Sequence, residues 1–207
     1  MQILFGGTFD PVHNGHVAMA KVLLETFIDA EVHIIPNHQS PNKESSEGSH
    51  HRFKMLELAM QDILGARVNQ IEMHRPGPSY TIDTVKYFRS HYGERESLVL
   101  CLGVDAAGDL ERWHEKTDLP QLCHLCILNR SSYLINLSEV VSSFIDTDDL
   151  DLLFNQSFGL RYSLLTPDIP VSSTAIRRLI REQKRKLPVP SKVADYINHH
   201  HLYQDVK

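Results

Sequence analysis

The chain predicts an α/β fold in which a parallel sheet carries helices on both faces, in three layers. Two features of the sequence carry that expectation. Short, continuously apolar runs, such as Ile3-Leu4-Phe5 and residues 98–102, read as strands buried on both sides. They alternate with longer segments whose apolar residues recur at helical spacing, so each strand must return in parallel through a helical crossover. Right-handed crossovers put all the strand-to-helix loops on one edge of the sheet. Ligands of such sheets bind there, beyond the carboxyl ends of the strands.

Taken in order, the first run ends in Gly6-Gly7, and Val17, Ala20, Leu24 and Phe27 mark the apolar face of a helix. Glu31-Val-His-Ile-Ile-Pro36 is a second strand, stopped by its proline. Residues 37–50 are polar and include Pro41, Lys43 and a Ser/Glu/Gly cluster, which predicts a mobile surface loop. Phe53, Leu56, Met60 and Ile63 predict a second helix, with Gly65 as its stop. A weaker strand is expected over 66–72, then a turn-rich loop from His74 to Thr81. The third helix carries Ile82, Val85, Phe88 and Tyr92 and ends at Gly93. Strand 98–102 runs into Gly103-Val104-Asp105 and an acidic stretch that closes with Trp113-His114. Strand 125–128 is followed at once by Asn129-Arg130. Residues 132–158 show no single periodicity, although the acidic 146–151 stretch reads as a solvated edge. Strand 162–166 is the last. A helix then runs from Ser172-Ser173-Thr174 to about Lys186, and another over 190–200. No repeat and no linker interrupts the pattern, so residues 1–207 read as one domain with a helical subregion at 172–207.

Composition removes several classes of function. The 207 residues are 42% hydrophobic and 23% charged, ordinary for a globular chain, with a formal net charge of −5. A dedicated nucleic-acid surface would be basic, so no nucleic-acid partner is expected. No apolar run approaches the roughly 20 residues that span a bilayer, and no basic, apolar leader precedes the first strand. A cytoplasmic protein without membrane contact is expected. The three cysteines do not suggest a disulfide framework. Cys123 and Cys126 form a CxxC, but in an apolar stretch with no second ligand pair nearby, which favours buried core over metal.

The functional signal lies at both ends of the chain. In GGTFDPVHNGH, residues 6–16, a strand leads through glycines into a helix. Gly6 and Gly7 let backbone approach a ligand, and the helix start offers unpaired N–H groups to an anion. His13 and His16, three apart, would share one helix face in the first turn. Far along the chain, Ser172, Ser173 and Thr174 offer cap hydroxyls at another helix start, and Arg177 can return its guanidinium toward them. The commoner Walker and dinucleotide glycine patterns are both absent.

The His13-Asn14-Gly15-His16 element resembles the phosphate-binding HxGH signature of the nucleotidylyltransferase superfamily, and Ser172–Arg177 resembles its SSTxIR counterpart. Arg75-Pro-Gly-Pro-Ser-Tyr-Thr-Ile-Asp-Thr84, Leu102-Gly-Val-Asp105, Trp113 and the ending through Leu202-Tyr203 resemble bacterial nicotinate-nucleotide adenylyltransferases over nearly the whole chain. That resemblance implies a Rossmann-like nucleotidylyltransferase fold. It also implies adenylyl transfer from ATP to nicotinate mononucleotide, giving nicotinate adenine dinucleotide and pyrophosphate, a step in NAD biosynthesis. Alternative readings are a nicotinamide-mononucleotide or pantetheine-phosphate adenylyltransferase, or a nucleotide sensor without catalysis.

Under the resemblance, His13, His16, Lys43 and Arg177 are the catalytic donors and cations, and Gly6, Gly7, Thr8, Phe9, Gly103, Asp105, Ser172, Ser173 and Thr174 hold ATP. Tyr80, Thr81, Trp113 and Arg130 are assigned to the mononucleotide. Asp105 would accept from a ribose or else cap a helix; Trp113 is a platform for the pyridine or a core residue; Arg130 assists phosphates or pairs with an acid. Mg²⁺ would arrive on the ATP phosphates, without protein ligands. A monomer or small homo-oligomer is expected. One departure stands out: where the family usually has Pro-His-Lys or Pro-His-Arg, this chain has Pro41-Asn42-Lys43.

Overall fold

The structure, a computed structural model, describes residues 1–41, 45–130 and 138–204. Its strands are β1 (Gln2–Gly7), β2 (Glu31–Pro36), β3 (Ala66–Val68), β4 (Leu98–Gly103), β5 (His124–Arg130), β6 (Ile145–Thr147) and β7 (Leu160–Thr166). Among the described residues they form a seven-stranded sheet in the order β3-β2-β1-β4-β5-β7-β6, and every neighbouring pair is parallel. Strand order reverses between β1 and β4. The crevice beyond their carboxyl ends, at Gly7 and Gly103, is therefore the topological switch point.

The helices are α1 (Asn14–Thr26), α2 (Ser49–Met60), α3 (Thr81–Tyr92), α4 (Val104–Gly108), α5 (Glu139–Ser142), α6 (Leu150–Asn155), α7 (Ser173–Arg181) and α8 (Ser191–His199). Successive strand side chains alternate between two cores. Ile3, Phe5, Val99, Cys101, Cys126 and Leu128 meet α1, α2, α6, α7 and α8 on one face. Leu4, Leu98, Leu100, Leu102, Leu125 and Ile127 meet α3, α4 and α5 on the other. This is the three-layer α/β arrangement that the alternating pattern predicts. Each fully buried Leu or Ile contributes about 1.5–3 kcal/mol of transfer free energy. Because the central strands are apolar on both sides, they bind both helical layers to one sheet.

Cys123 belongs to the second core and Cys126 to the first, so the CxxC straddles the sheet and cannot converge on a metal. All three cysteines are free and buried. Burial pushes the Cys123 thiol up to about 12, which keeps it protonated and unreactive.

Several boundaries differ from expectation, each for a local reason. The third strand stops at Val68 instead of reaching 72, because the Asn69 side chain accepts from the Ile71 amide and turns the chain. Helix α7 ends at Arg181, short of Lys186. Gln183 takes φ +54°, and the Gln183 and Lys184 amides fold back onto the Ile180 and Leu179 carbonyls. The 132–158 region supplies α5, the edge strand β6 and α6, the last capped by Asp149 from the acidic stretch. Asn42, Lys43 and Glu44, on which part of the mobile-loop expectation fell, lie outside the described residues. No helix among the described residues is long and apolar enough to cross a membrane.

Candidate active site

The turn from β1 to α1 is built tightly. Phe9 takes φ +49° and folds its ring over Gly7, where an added Cβ would sit 3.0 Å from Phe9 Cζ. A side chain at position 7 would push on the Phe9 ring, which would have to give by a few tenths of an ångström. Gly6 differs, since its Cβ would meet only the Ile35 carbonyl, at 3.9 Å. The fold does not need glycine there, and the backbone at the end of β1 is left bare.

The two histidines correct the sequence reading. His13 is not in the first turn of α1; it is the N-cap, and His16 is the third helical residue. Each ring caps the other's backbone: His13 Nδ1 accepts from the His16 amide at 3.3 Å, and His16 Nδ1 accepts from the His13 amide at 3.2 Å. The rings stack with centroids 3.6 Å apart and planes 18° apart. This is a capping box made of imidazoles. Its chemical consequence is a tautomer. With both Nδ1 atoms accepting, each neutral ring carries its proton on Nε2 and is a donor there. Gly15 fits the same design, because a Cβ at that position would lie 3.0 Å from both His13 Nδ1 and Val171 Cγ1.

The second motif lies against the first. Ser172 caps α7 by accepting from the Ala175 amide. Ser173 Oγ donates to the Pro11 carbonyl at 2.9 Å, and Arg177 Nη1 donates to the Asp10 carbonyl at 2.7 Å. Arg177 Nη2 also donates to Thr174 Oγ1 at 3.2 Å. The start of α7 is therefore seated on the loop that leads to His13 and His16.

Arg52 is a central residue that the sequence reading missed. It is fully buried, and its guanidinium donates to the carbonyls of Thr8, His38 and Glu47 and to Asn37 Oδ1. Asn37 in turn donates to Thr8 Oγ1 at 3.1 Å. One cation thus ties the β1 turn to both flanks of the segment that contains Lys43. The signal was present in the spacing: Arg52, Met55, Leu56, Ala59 and Met60 form the buried stripe of α2, so an arginine occupies a core position. Asp10 and Tyr203, both buried and joined by a 2.9 Å hydrogen bond, were missed as well.

On the other side of the switch point, α3 starts at Thr81 with Tyr80 as a cap that makes no side-chain hydrogen bond. Beneath it, Arg75 Nη2 donates to the Tyr80 carbonyl and to Thr84 Oγ1. The Tyr80 ring lies 4.5 Å from that of His114, which joins the start of α3 to the Trp113 segment. Trp113 is half-buried and packs on the second core. Asp105 stands in the first turn of α4, exposed; Gly103 is the N-cap, so Asp105 is not a capping residue. Lys43 and the side chain of Arg130 lie outside what the structure describes, although Arg130 ends β5 on the same sheet edge. Asn129, just before it, holds a buried Oδ1 with no partner among the described residues.

A bare strand end, paired Nε2 donors and a helix start carrying an arginine, all at the switch point of a parallel sheet, define a nucleotidyltransferase of the cytidylyltransferase-like class, and the Cytidylyltransferase-like family model matches residues 4–179. A Bacillus pumilus protein named "Probable nicotinate-nucleotide adenylyltransferase" is 37% identical over 208 residues, 97% of each chain. An Idiomarina loihiensis protein of the same name is 32% identical over 209 residues, covering 98% of this chain and 99% of its own. The fold is also that of Plasmodium falciparum nicotinic acid mononucleotide adenylyltransferase complexed with NaAD, at a TM-score of 0.72 and 19% identity over 98% and 96% of the two chains. The chain belongs to the nicotinate-nucleotide adenylyltransferase family.

Proposed function

We propose that this protein is an enzyme that transfers the adenylyl group of ATP to nicotinate mononucleotide, giving nicotinate adenine dinucleotide and pyrophosphate in the synthesis of NAD. The observation that carries this reading is the contact between the two ends of the chain. Ser173 and Arg177 hold the Pro11 and Asp10 carbonyls, so the start of α7 and its arginine lie against the loop that leads into the His13–His16 pair.

The chemistry asks little of the protein beyond placement. A phosphate monoester has its second pKa near about 6, so the mononucleotide phosphate is already a nucleophile at neutral pH. One of its oxygens bonds to the α-phosphorus of ATP. The bond from that phosphorus to the bridging oxygen breaks, and pyrophosphate leaves with the electron pair. Catalysis then consists of alignment and of charge stabilisation as the reaction proceeds. His13 and His16 act as neutral Nε2–H donors toward the α-phosphate. Lys43 and Arg177 face the β- and γ-phosphates, and the hydroxyls of Ser172 and Thr174 complete that side. Ser173, whose hydroxyl proton goes to the Pro11 carbonyl, seats the helix start and adds its backbone N–H there. The bare backbone at Gly6, with Gly7, Thr8 and Phe9 in the turn that follows, lets the triphosphate lie on the end of β1, and Gly103 and Asp105 take the ribose. Mg²⁺ arrives carried by the ATP phosphates and water.

On the mononucleotide side, the α3 start at Tyr80 and Thr81 offers N–H groups to the nicotinate carboxylate, Trp113 supports the ring and Arg130 the phosphate. We place the activity in one 1–207 domain, completed by its 172–207 subregion, working in the cytoplasm as a monomer or small homo-oligomer. The test is pyrophosphate release from ATP, Mg²⁺ and either mononucleotide. Release with nicotinate mononucleotide and little with the nicotinamide form is expected; no release with either, or equal use of both, overturns the reading.

A further inference from the structure

Asp10, 5% exposed, gathers three other segments of the chain. Tyr203, from the turn after α8, donates its hydroxyl to Oδ1 at 2.9 Å. The Ser46 amide donates to Oδ2 at 2.7 Å. Arg177 donates to the Asp10 main-chain carbonyl at 2.7 Å but stands 3.7 Å from Oδ2.

That last distance is the informative one. An arginine beside a buried carboxylate commonly closes into a two-pronged pair at about 2.7–2.9 Å. Here each carboxylate oxygen already accepts a hydrogen bond, and the guanidinium is diverted to a carbonyl and to Thr174 Oγ1. Its ion pair with Asp10 is long, at 3.7 Å, which leaves the guanidinium less tightly engaged than a closed two-pronged pair would. Tyr203 is well placed to maintain this. It is 5% exposed, its amide donates to Glu47 Oε1 at 2.9 Å, and burial together with the Asp10 charge raises its phenol pKa, so it remains a donor.

We propose that Tyr203 is a positioning residue for the reaction: its hydroxyl, held on Asp10 Oδ1, fixes the rotation of the carboxylate so that Oδ2, the oxygen facing Arg177, does not swing in to close on the guanidinium, which stays ready for the phosphates of ATP. The proposal rests on the reading of Arg177 as a phosphate ligand. It makes the last turn of the chain part of the ATP site, 193 residues from Asp10 along the sequence.

Tyr203→Phe keeps the ring and removes only the hydroxyl. Calorimetry with ATP alone should show binding weakened by about tenfold, the scale of one unsatisfied buried acceptor that recruits a neighbouring cation. The KM for the mononucleotide should stay within about twofold, since Tyr203 acts on the ATP side alone. In an Asp10→Asn background the same change should cost less than about twofold, because a neutral amide cannot draw the arginine in. Equal losses in both backgrounds would reduce Tyr203 to packing and overturn the proposal. A crystal structure of Tyr203→Phe decides independently of any assay: Arg177 should move to within about 3.0 Å of an Asp10 carboxylate oxygen, the contact range of such pairs. An arginine still at the wild-type distance refutes the latch. Wild-type protein that fails to bind ATP refutes the adenylyl-transfer reading instead, and the crystallographic distance still answers the narrower question.

Discussion

At the scale of single residues, His13 and His16 each do two things. Their Nδ1 atoms cap α1, and the same bonds place the proton on Nε2. Two substitutions separate these roles. Asparagine is itself a good N-cap, so His13→Asn should change unfolding free energy by less than about 1 kcal/mol. It should still lower kcat by at least about 10²-fold, the usual loss for one donor aimed at developing charge. His16→Ala should lower kcat at least as much while raising KM little, since the lost bond strengthens only as the phosphorus reacts. Steady-state kinetics beside urea melts read both. Near-normal kcat in either variant would leave the pair a helix cap only. Asn42 offers a milder case. Lys43 keeps the local cation, so Asn42→His should change turnover by less than about tenfold, roughly 1.4 kcal/mol of barrier. A larger gain in the same assay would mark the chain as a weakened family member.

At the scale of elements, β2 carries a buried polar residue whose titration couples to folding. His33 is 3% exposed; its Nε2 lies 2.8 Å from Gln2 Oε1 and its ring lies edge-on to Phe88. Burial, opposed by Glu31 and aided by Arg67, lowers its pKa from 6.5 to about 4. Between those values the unfolded chain takes up the proton and the folded chain does not, so the stability due to neutral His33 is complete above about 6.5 and lost as pH falls toward 4. Urea melts at pH 7 and pH 5 should show the acid loss, and His33→Gln should reduce that slope. His124 on β5 is lowered by burial too, so the slope should not vanish. A slope unchanged in His33→Gln would show that the ring is protonated in the fold. In α2 the outcome differs, because the buried group there keeps its positive charge. Arg52 is tolerated at a core position because its guanidinium meets three carbonyls and an amide oxygen.

At the scale of the whole molecule, a chain of net charge −5 must concentrate its positive potential where its anionic substrates bind. On the proposed reading, helix starts and a few cations on one edge of the sheet supply it. This arrangement predicts selectivity. Nicotinate presents a carboxylate where nicotinamide presents an amide of similar shape, and the start of α3 offers donors. An amide there leaves a donor facing a donor, at about 1–3 kcal/mol for each mismatch. Two mismatches amount to roughly 10²- to 10⁴-fold. The ratio of kcat/KM for nicotinate over nicotinamide mononucleotide should therefore be at least about 10². Trp113→Ala should weaken both substrates and leave the ratio nearly intact, because stacking on an indole does not distinguish the two rings. A ratio that collapses with Trp113 would move discrimination from the helix start to the ring platform.

The sequence by itself determined the alternation of buried strands and amphipathic helices, hence a parallel sheet with its loops on one edge, because side-chain periodicity is a local property of the backbone. By their resemblance to family signatures, HxGH and SSTxIR also pointed to the two ends of the chain as halves of one site. Only the tertiary structure decided how those ends meet. That Arg177 rests on the Asp10 carbonyl, that Tyr203 occupies Asp10 Oδ1, and that Arg52 ties Thr8 to His38 and Glu47 are contacts between residues far apart in sequence. No periodicity encodes such pairs, because a buried charge finds its partners through packing, and packing is settled only when the whole sheet and both helical layers are in place.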